Sequence, residues 1–177
     1  MKYVKIHALR PKFAALATLA VSSVLLAGPV LADEVSQGIE RGKYLVTVMD
    51  CAGCHMPRGA NGIPMAEKGL SGGNVGFEIP GMGIFWPSNL TPDETGLGSF
   101  SEAEIASTIR TGVRPDGRTL APVMPTPSYA ALNDEDAAAI AAFLKSLPPA
   151  KSTAAPAVAD VADAHLPFYR VAMPGTK

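Results

Sequence analysis

The chain has 177 residues, with 15 Lys+Arg against 16 Asp+Glu, two cysteines and one tryptophan. Near-neutral charge without basic clusters excludes the electrostatic footprint of a nucleic-acid binder. The length suits one domain with one modest core.

The first segment has its own character. Lys2, Lys5, Arg10 and Lys12 make a basic start, residues 13–32 carry no charge, and Gly28-Pro29 interrupts the apolar run ahead of Val30, Leu31 and Ala32. This is the layout of a secretory signal peptide over residues 1–32, cut after Ala32, with a periplasmic destination for the rest. The alternative is an uncleaved anchor, because about 20 uncharged residues nearly span a bilayer; otherwise membrane contact is peripheral at most. Four of the 15 basic residues lie in the signal, so residues 33–177 keep 11 against 16 acids, a net charge of −5. Their two cysteines would enter an oxidising compartment.

Residues 36–50, "SQGIERGKYLVTVMD", predict a short helix with Ile39, Leu45, Val46 and Met49 on an imperfect apolar face, ending at Cys51. Residues 57–98 are rich in glycine and proline and predict irregular loop with little regular structure. A loop of that length inside a compact domain makes sense when something other than peptide fills the core. Ser101 to Glu104 is a capping box, opening a helix to about Thr111 with Ile105 and Ile109 inward and Gly112 as its stop. A proline-rich loop follows. Asn133 or Asp134 caps a last helix, in which Ile140, Phe143, Leu144 and Leu147 form the buried stripe and Pro148-Pro149 the end. Residues 150–164 are Ala/Pro-rich and read as a linker, while 165–173, "HLPFYRVAM", are apolar enough to dock on the body. Three short apolar stripes and very little β pattern leave the peptide short of core.

Both cysteines lie in "DCAGCHMP", as Cys51 and Cys54, followed by His55. Cys-x-x-Cys-His is the attachment signature of c-type haem. Two thiols three positions apart can each form a thioether with one porphyrin vinyl group, and the next residue offers an imidazole to the iron. A thioredoxin-like dithiol belongs at a helix start in a βαβ pattern, which is missing here. Structural zinc needs four ligands, and only distant His165 could join these three. A plain disulfide leaves His55 unexplained. The reading is therefore one covalently bound haem c.

A second axial ligand decides between electron transfer and open-site chemistry. Met124 stands in a proline-framed loop, "APVMPTPSY", far enough from His55 for the chain to circle a porphyrin. Met82 and His165 are the other candidates, and Met56 is too close. A thioether ligand raises the potential relative to a second histidine. For the two propionates, Trp86 offers an indole N–H, Asn89 an amide, and Arg114 and Arg118 guanidinium groups beside a Pro-Asp-Gly turn. Gly42 and Tyr44 are expected where the N-terminal helix crosses the C-terminal one near Phe143 and Leu144.

The order of helix with Gly42 and Tyr44, CAGCH, Gly-rich loop, Met-Pro loop and C-terminal helix resembles a class I c-type cytochrome. More narrowly, the stretch from "SNLTPDETGLG" to "AAFLKSLPP" is similar to one haem module of the multihaem cytochrome subunits of periplasmic alcohol and gluconate dehydrogenases. "HLPFYR" resembles the connector after such a module. This chain has one haem motif where those subunits have three. The resemblance implies a mostly α cytochrome c fold over residues 33–149, short helices and loops wrapped around one haem, with a tail over 150–177. It implies that Met124 is the distal ligand and that a backbone carbonyl near Pro64 accepts from the second ring nitrogen of His55. The expected function is periplasmic electron transfer through a low-spin His/Met haem, without catalysis of its own. Electrons would come from a periplasmic dehydrogenase and go to a terminal oxidase or another cytochrome. The rival is a haem peroxidase or gas-binding cytochrome with an open distal face.

Overall fold

The computed structural model describes residues 28–175. The expected signal, 1–32, falls outside the described residues up to Gly28, where its backbone enters as the first turn of a helix. No helix among the described residues is long and apolar enough to cross a membrane.

Five helices set the frame: α1 (Gly28–Val48), α2 (Cys51–His55), α3 (Glu102–Thr111), α4 (Thr126–Tyr129) and α5 (Asp134–Ser146). The first begins earlier than the apolar pattern predicts and runs through Gly28-Pro29, a proline being tolerated in a first turn. Ser101 and Glu104 form the expected capping box on α3, with Ser101 N donating to Glu104 Oε2 at 2.8 Å and Ser101 Oγ accepting from Glu104 N at 3.2 Å. Gly112, left-handed at φ 72°, closes that helix. Asn133 caps α5 by accepting from Asp136 N at 2.7 Å.

The core joins Leu45 and Val46 of α1, Leu70, Ile105 of α3, and Ile140, Ala141 and Leu144 of α5. Cys51 and Ala52 pack against it half-buried, so the core reaches the cysteine pair. Crossing α1 over α5 needs Gly42: a Cβ there would lie 1.9 Å from Ala139 O and 2.8 Å from Phe143 Cβ. Tyr44 does not share in the crossing. It stays 57% exposed, with the Arg41 guanidinium 5.6 Å from its ring centroid. On a helix, positions two apart point in different directions, so only Gly42 can face α5.

The region expected as irregular loop holds a hairpin. Its strands β1 (Gly76–Ile79) and β2 (Gly83–Phe85) pair antiparallel, Phe77 opposite Phe85 and Glu78 opposite Ile84. Pro80-Gly81 makes the turn, closed by Met82 N donating to Ile79 O at 2.9 Å. The tail completes the sheet: β3 (Phe168–Tyr169) lies parallel to β1, and Val158 bridges to Ile84 on the other edge. Residues 150–164 thus are not a free linker. Thr153 donates from its N to Ser71 O at 3.1 Å and from its hydroxyl to Gly72 O. An Ala/Pro-rich stretch reads as flexible by composition, but here the loop carbonyls of 71–89 give its amides partners.

Asn89 is the main brace between loop and tail. It is 1% exposed, its Nδ2 donates to Ala150 O at 2.7 Å and Thr95 Oγ1 at 3.1 Å, and its Oδ1 accepts from Thr91 N and Oγ1, each at 2.9 Å. Asn89→Ala strands Thr91 N and takes one of two donors from Ala150 O, which keeps the Thr91 hydroxyl, at a cost of about 1–3 kcal/mol; no loss in chemical denaturation would mean that Asn89 is not the main brace. Gly42→Val forces α1 off α5 and costs about 1–3 kcal/mol by overpacking. That exceeds the few tenths that leaving glycine returns in helix propensity, so the denaturation midpoint should fall.

Candidate functional site

Residues 50–55 make one turn that aims three side chains together. Asp50 takes a left-handed backbone, φ 52°, and its Oδ1 accepts from Gly53 N at 3.1 Å. Glycine at 53 leaves room for this cap, because a Cβ would lie 2.3 Å from Asp50 Oδ2 and push the carboxylate aside. On the resulting helix α2, Cys51 is three residues before Cys54 and four before His55, the spacing that puts side chains on one face. Both cysteines are free thiols, Cys51 half-buried and Cys54 exposed.

His55 is 7% exposed, and its Nδ1 lies 2.7 Å from Ser88 O. A carbonyl oxygen can only accept, so Nδ1 carries the proton and Nε2 presents a bare lone pair. Among the described residues no protein group donates to that nitrogen. The acceptor expected for the ring N–H, a backbone carbonyl near Pro64, is corrected to Ser88 O, while Pro64 bridges to Arg58 within its own loop. Burial depresses the His55 pKa, partly offset by the Ser88 bond, and so keeps the imidazole neutral. The Cys51 thiol is pushed up to about 11, chiefly by burial and then by Asp50. Burial also raises Cys54, with Asp50 adding and Arg58 opposing. Thiols shifted upward are poor thiolates at neutral pH, the reverse of a dithiol oxidoreductase site.

The loops close around this turn. Gly72 N donates to His55 O at 2.9 Å and Gly73 N to Pro87 O at 2.9 Å. A Cβ on Gly73 would meet Cys54 O at 2.2 Å. Arg58 donates from its guanidinium to Gly53 O and Gly62 O, each at 3.0 Å, while Asn74 clamps the Arg58 backbone from both sides at 2.8 Å.

Met124 is half-buried in the turn that leads into α4. Helix α4 ends at Tyr129, whose hydroxyl reaches Met49 O at 3.5 Å. The Tyr129 pKa is raised, first by burial and then by Cys51, Cys54 and Asp50 close by. The Met124 loop is therefore tethered next to the cysteine turn. Val113 and Val123, on either side of that loop, stay 43% and 39% exposed. His165 is exposed, and Pro167 two residues on accepts from Trp86 Nε1, which keeps His165 with the 86–88 segment that holds the imidazole from behind. Met82 sits 53% exposed at the β1–β2 turn.

The expected propionate partners sort differently. The Trp86 indole N–H donates to Pro167 O at 3.2 Å, and every amide group of Asn89 is engaged within the protein. Neither has a donor left for a carboxylate. Arg118 is an exposed side chain gripping Asp116 through Nε and Nη2 at 2.9 and 2.7 Å. Arg114 lies 5.1 Å from the Phe100 centroid, and its Nε is buried with no hydrogen-bond partner. Among the described residues Ser71 Oγ and Thr108 Oγ1 share that condition. Also among these residues, no three His, Cys, Asp or Glu side chains converge to hold a metal ion, so zinc has no cage at Cys51, Cys54 and His55.

These features fit a covalently held haem: two unpaired thiols on one face, a neutral imidazole with one bare nitrogen, exposed valines beside a methionine loop, and a buried arginine N–H awaiting an acceptor. Ser88, Tyr129 and Arg58 are the residues the pattern did not single out. Ser88 acts through its backbone carbonyl, which has no side-chain signature; Asp50 before the cysteine was readable as a helix cap.

Comparison with known proteins agrees. The chain is 37% identical over 110 residues to the cytochrome c subunit of gluconate 2-dehydrogenase from Pantoea cypripedii, covering 59% of this chain and 22% of that one. It is 36% identical over 124 residues to the cytochrome c subunit of a quinone-type alcohol dehydrogenase from Gluconacetobacter polyoxogenes, covering 67% and 24%. A diheme c-type cytochrome from Cereibacter sphaeroides is 33% identical over 146 residues, covering 75% of this chain and 48% of its own. The chain thus spans about a quarter of the first two relatives, and their whole activities do not transfer with the match. Residues 39–148, from within α1 to just past α5, match the family model for cytochrome c, and the chain belongs to that family as a c-type cytochrome module.

Proposed function

We propose that this chain is a periplasmic, single-haem electron carrier, exported by a cleaved signal over residues 1–32. Cys51 and Cys54 would hold the haem through thioethers, His55 Nε2 and the Met124 sulfur would ligate its iron, and the haem would supply reversible one-electron chemistry. The observation that carries the reading is the His55–Ser88 bond at 2.7 Å, which fixes the tautomer and leaves Nε2 for the metal beside two thiols on one helical face. With only two cysteines, the sequence has one attachment motif. Arg114, whose buried Nε has no hydrogen bond and only a 3.8 Å ion pair to Asp116 Oδ2, supports the role of propionate partner better than Trp86, Asn89 or Arg118.

The residues perform three tasks. The thioethers would keep the group on the chain if His55 or Met124 let go of the iron. His55 is kept neutral by burial and oriented by Ser88, so that its lone pair points one way. Met124 stands in a loop bounded by Pro122 and Pro125, which limits how far a weak sulfur ligand can swing. A filled distal position favours electron transfer over peroxide or gas chemistry. The relatives named as subunits of gluconate and alcohol dehydrogenases support a dehydrogenase as electron donor. A terminal oxidase or another cytochrome is the acceptor in this reading. Contact with either is expected to be small and transient, below about 1,200 Å² of buried surface.

Two measurements test it. Exported protein should weigh the polypeptide from residue 33 plus one haem and should keep its colour through denaturing electrophoresis. A bare, colourless polypeptide overturns the reading. Met124→Ala should bind carbon monoxide in the ferrous form, lose the near-infrared absorption of Met–Fe(III) ligation and fall in reduction potential. If the parent itself binds carbon monoxide tightly, the open-site rival takes its place. Persistence of the near-infrared band in the variant removes Met124 as ligand.

A further inference from the structure

The tail beyond α5 is bonded to the two segments that touch His55. Segment 71–73 holds the histidine backbone, through Gly72 N donating to His55 O at 2.9 Å. Segment 86–89 holds its ring, through Ser88 O at 2.7 Å from Nδ1. The two segments meet at Gly73 N to Pro87 O, 2.9 Å. Thr153 bonds to the first segment, donating to Ser71 O at 3.1 Å and to Gly72 O. Pro167 O accepts from Trp86 Nε1 at 3.2 Å and Gly76 N at 2.9 Å, and Ala150 O accepts from Asn89 Nδ2 at 2.7 Å. Val158 exchanges both backbone bonds with Ile84, at 2.8 and 3.1 Å, two residues before Trp86. Ser88, between two tail-bonded neighbours, thus has its position set by chain far away in sequence.

Loop 69–83 carries Gly69, Gly72, Gly81 and Gly83 at positive φ. Such a loop has high conformational freedom and stays in one shape only when something external braces it. The tail supplies that brace on both sides of the imidazole.

We propose that residues 153–168 are a positioning strap that sets the strength of the Ser88 O to His55 Nδ1 hydrogen bond, and through it the reduction potential of the iron that His55 ligates. The inference rests on the haem reading for its electronic half only. A carbonyl that draws on the Nδ1 proton enriches Nε2 in electron density, which favours the ferric state and lowers the potential. A loosened strap shifts the potential upward. Pro167, Val158 and Thr153 are positioning residues: none is argued to touch the haem.

Three proteins test the strap. A chain ending at Lys151 keeps the Ala150 carbonyl on Asn89 and removes the rest. Trp86→Phe removes only the N–H to Pro167 while keeping an aromatic ring, and Thr153→Val removes the hydroxyl bond to Gly72. The readouts are the reduction potential and the solvent exchange of the His55 Nδ1 proton by NMR. Both point variants should raise the potential and speed exchange about tenfold, the factor given by losing one hydrogen bond of ordinary net strength, and the shortened chain should exceed either. A shortened chain that holds its haem with potential and exchange unchanged overturns the proposal. If that chain fails to take up haem, unchanged values in both point variants overturn it equally. A parent lacking haem removes the electron-transfer reading instead, and proton exchange in the haem-free proteins then decides the strap by the same comparison.

Discussion

The hydrogen bond from His55 Nδ1 to Ser88 O is the constraint on which the site depends. It selects the tautomer, aims the ring and frees one nitrogen on a helix that also carries both thiols. An imidazole this deeply buried would otherwise lose its water without gaining a partner, which costs more than a surface histidine pays in lost freedom. The neutral ring that results is the form able to donate a lone pair to iron. Gly73 serves that one bond by letting backbone approach backbone, since a Cβ there would lie 2.2 Å from Cys54 O.

Around it the protein has two supporting halves with different physics. The helical half is apolar: α1 crosses α5 at Gly42, and α3 adds Ile105 to the same cluster. Its packing reaches Cys51 and Ala52, so the cysteine turn is seated on the core. The loop half buries Ile84 and Trp86 but is held mainly by directed polar bonds, with Asn89, Asn74 and Arg58 each linking two backbone stretches. Directed bonds suit a region that must place a carbonyl to within a few tenths of an ångström. Dispersion contacts alone would leave such a glycine-rich loop free to slide.

The Met124 turn leads into α4, whose Tyr129 stands beside the cysteines. For a proposed sulfur ligand, which would bind ferric iron weakly, the stiffness of the loop matters more than on the histidine side. The two axial candidates thus arrive from unlike scaffolds, one from a helix tied to loop carbonyls, one from a proline-bounded turn.

Much of this was legible in the chain itself, where the signal and its consequence lie within a few residues. Cys51, Cys54 and His55 state their chemistry by spacing. Ser101 with Glu104 and Asn133 with Asp136 mark helix starts, because a cap and its amide are three residues apart. The Met-Pro pair and the resemblance to cytochrome c modules likewise come from local words in the sequence, and the family match bears out the resemblance at the level of fold. What only the tertiary structure decided lies in contacts with long separations. Ser88 is 33 residues from His55, Trp86 is 81 from Pro167, and Asn89 is 61 from Ala150. The tail read as a linker because alanine and proline say nothing about carbonyl and amide partners far along the chain. Trp86 and Asn89 read as haem partners because a side-chain donor looks the same whether it meets a propionate or a peptide. Backbone groups are alike at every position, so their pairing is fixed by where the fold brings them and not by which residue carries them.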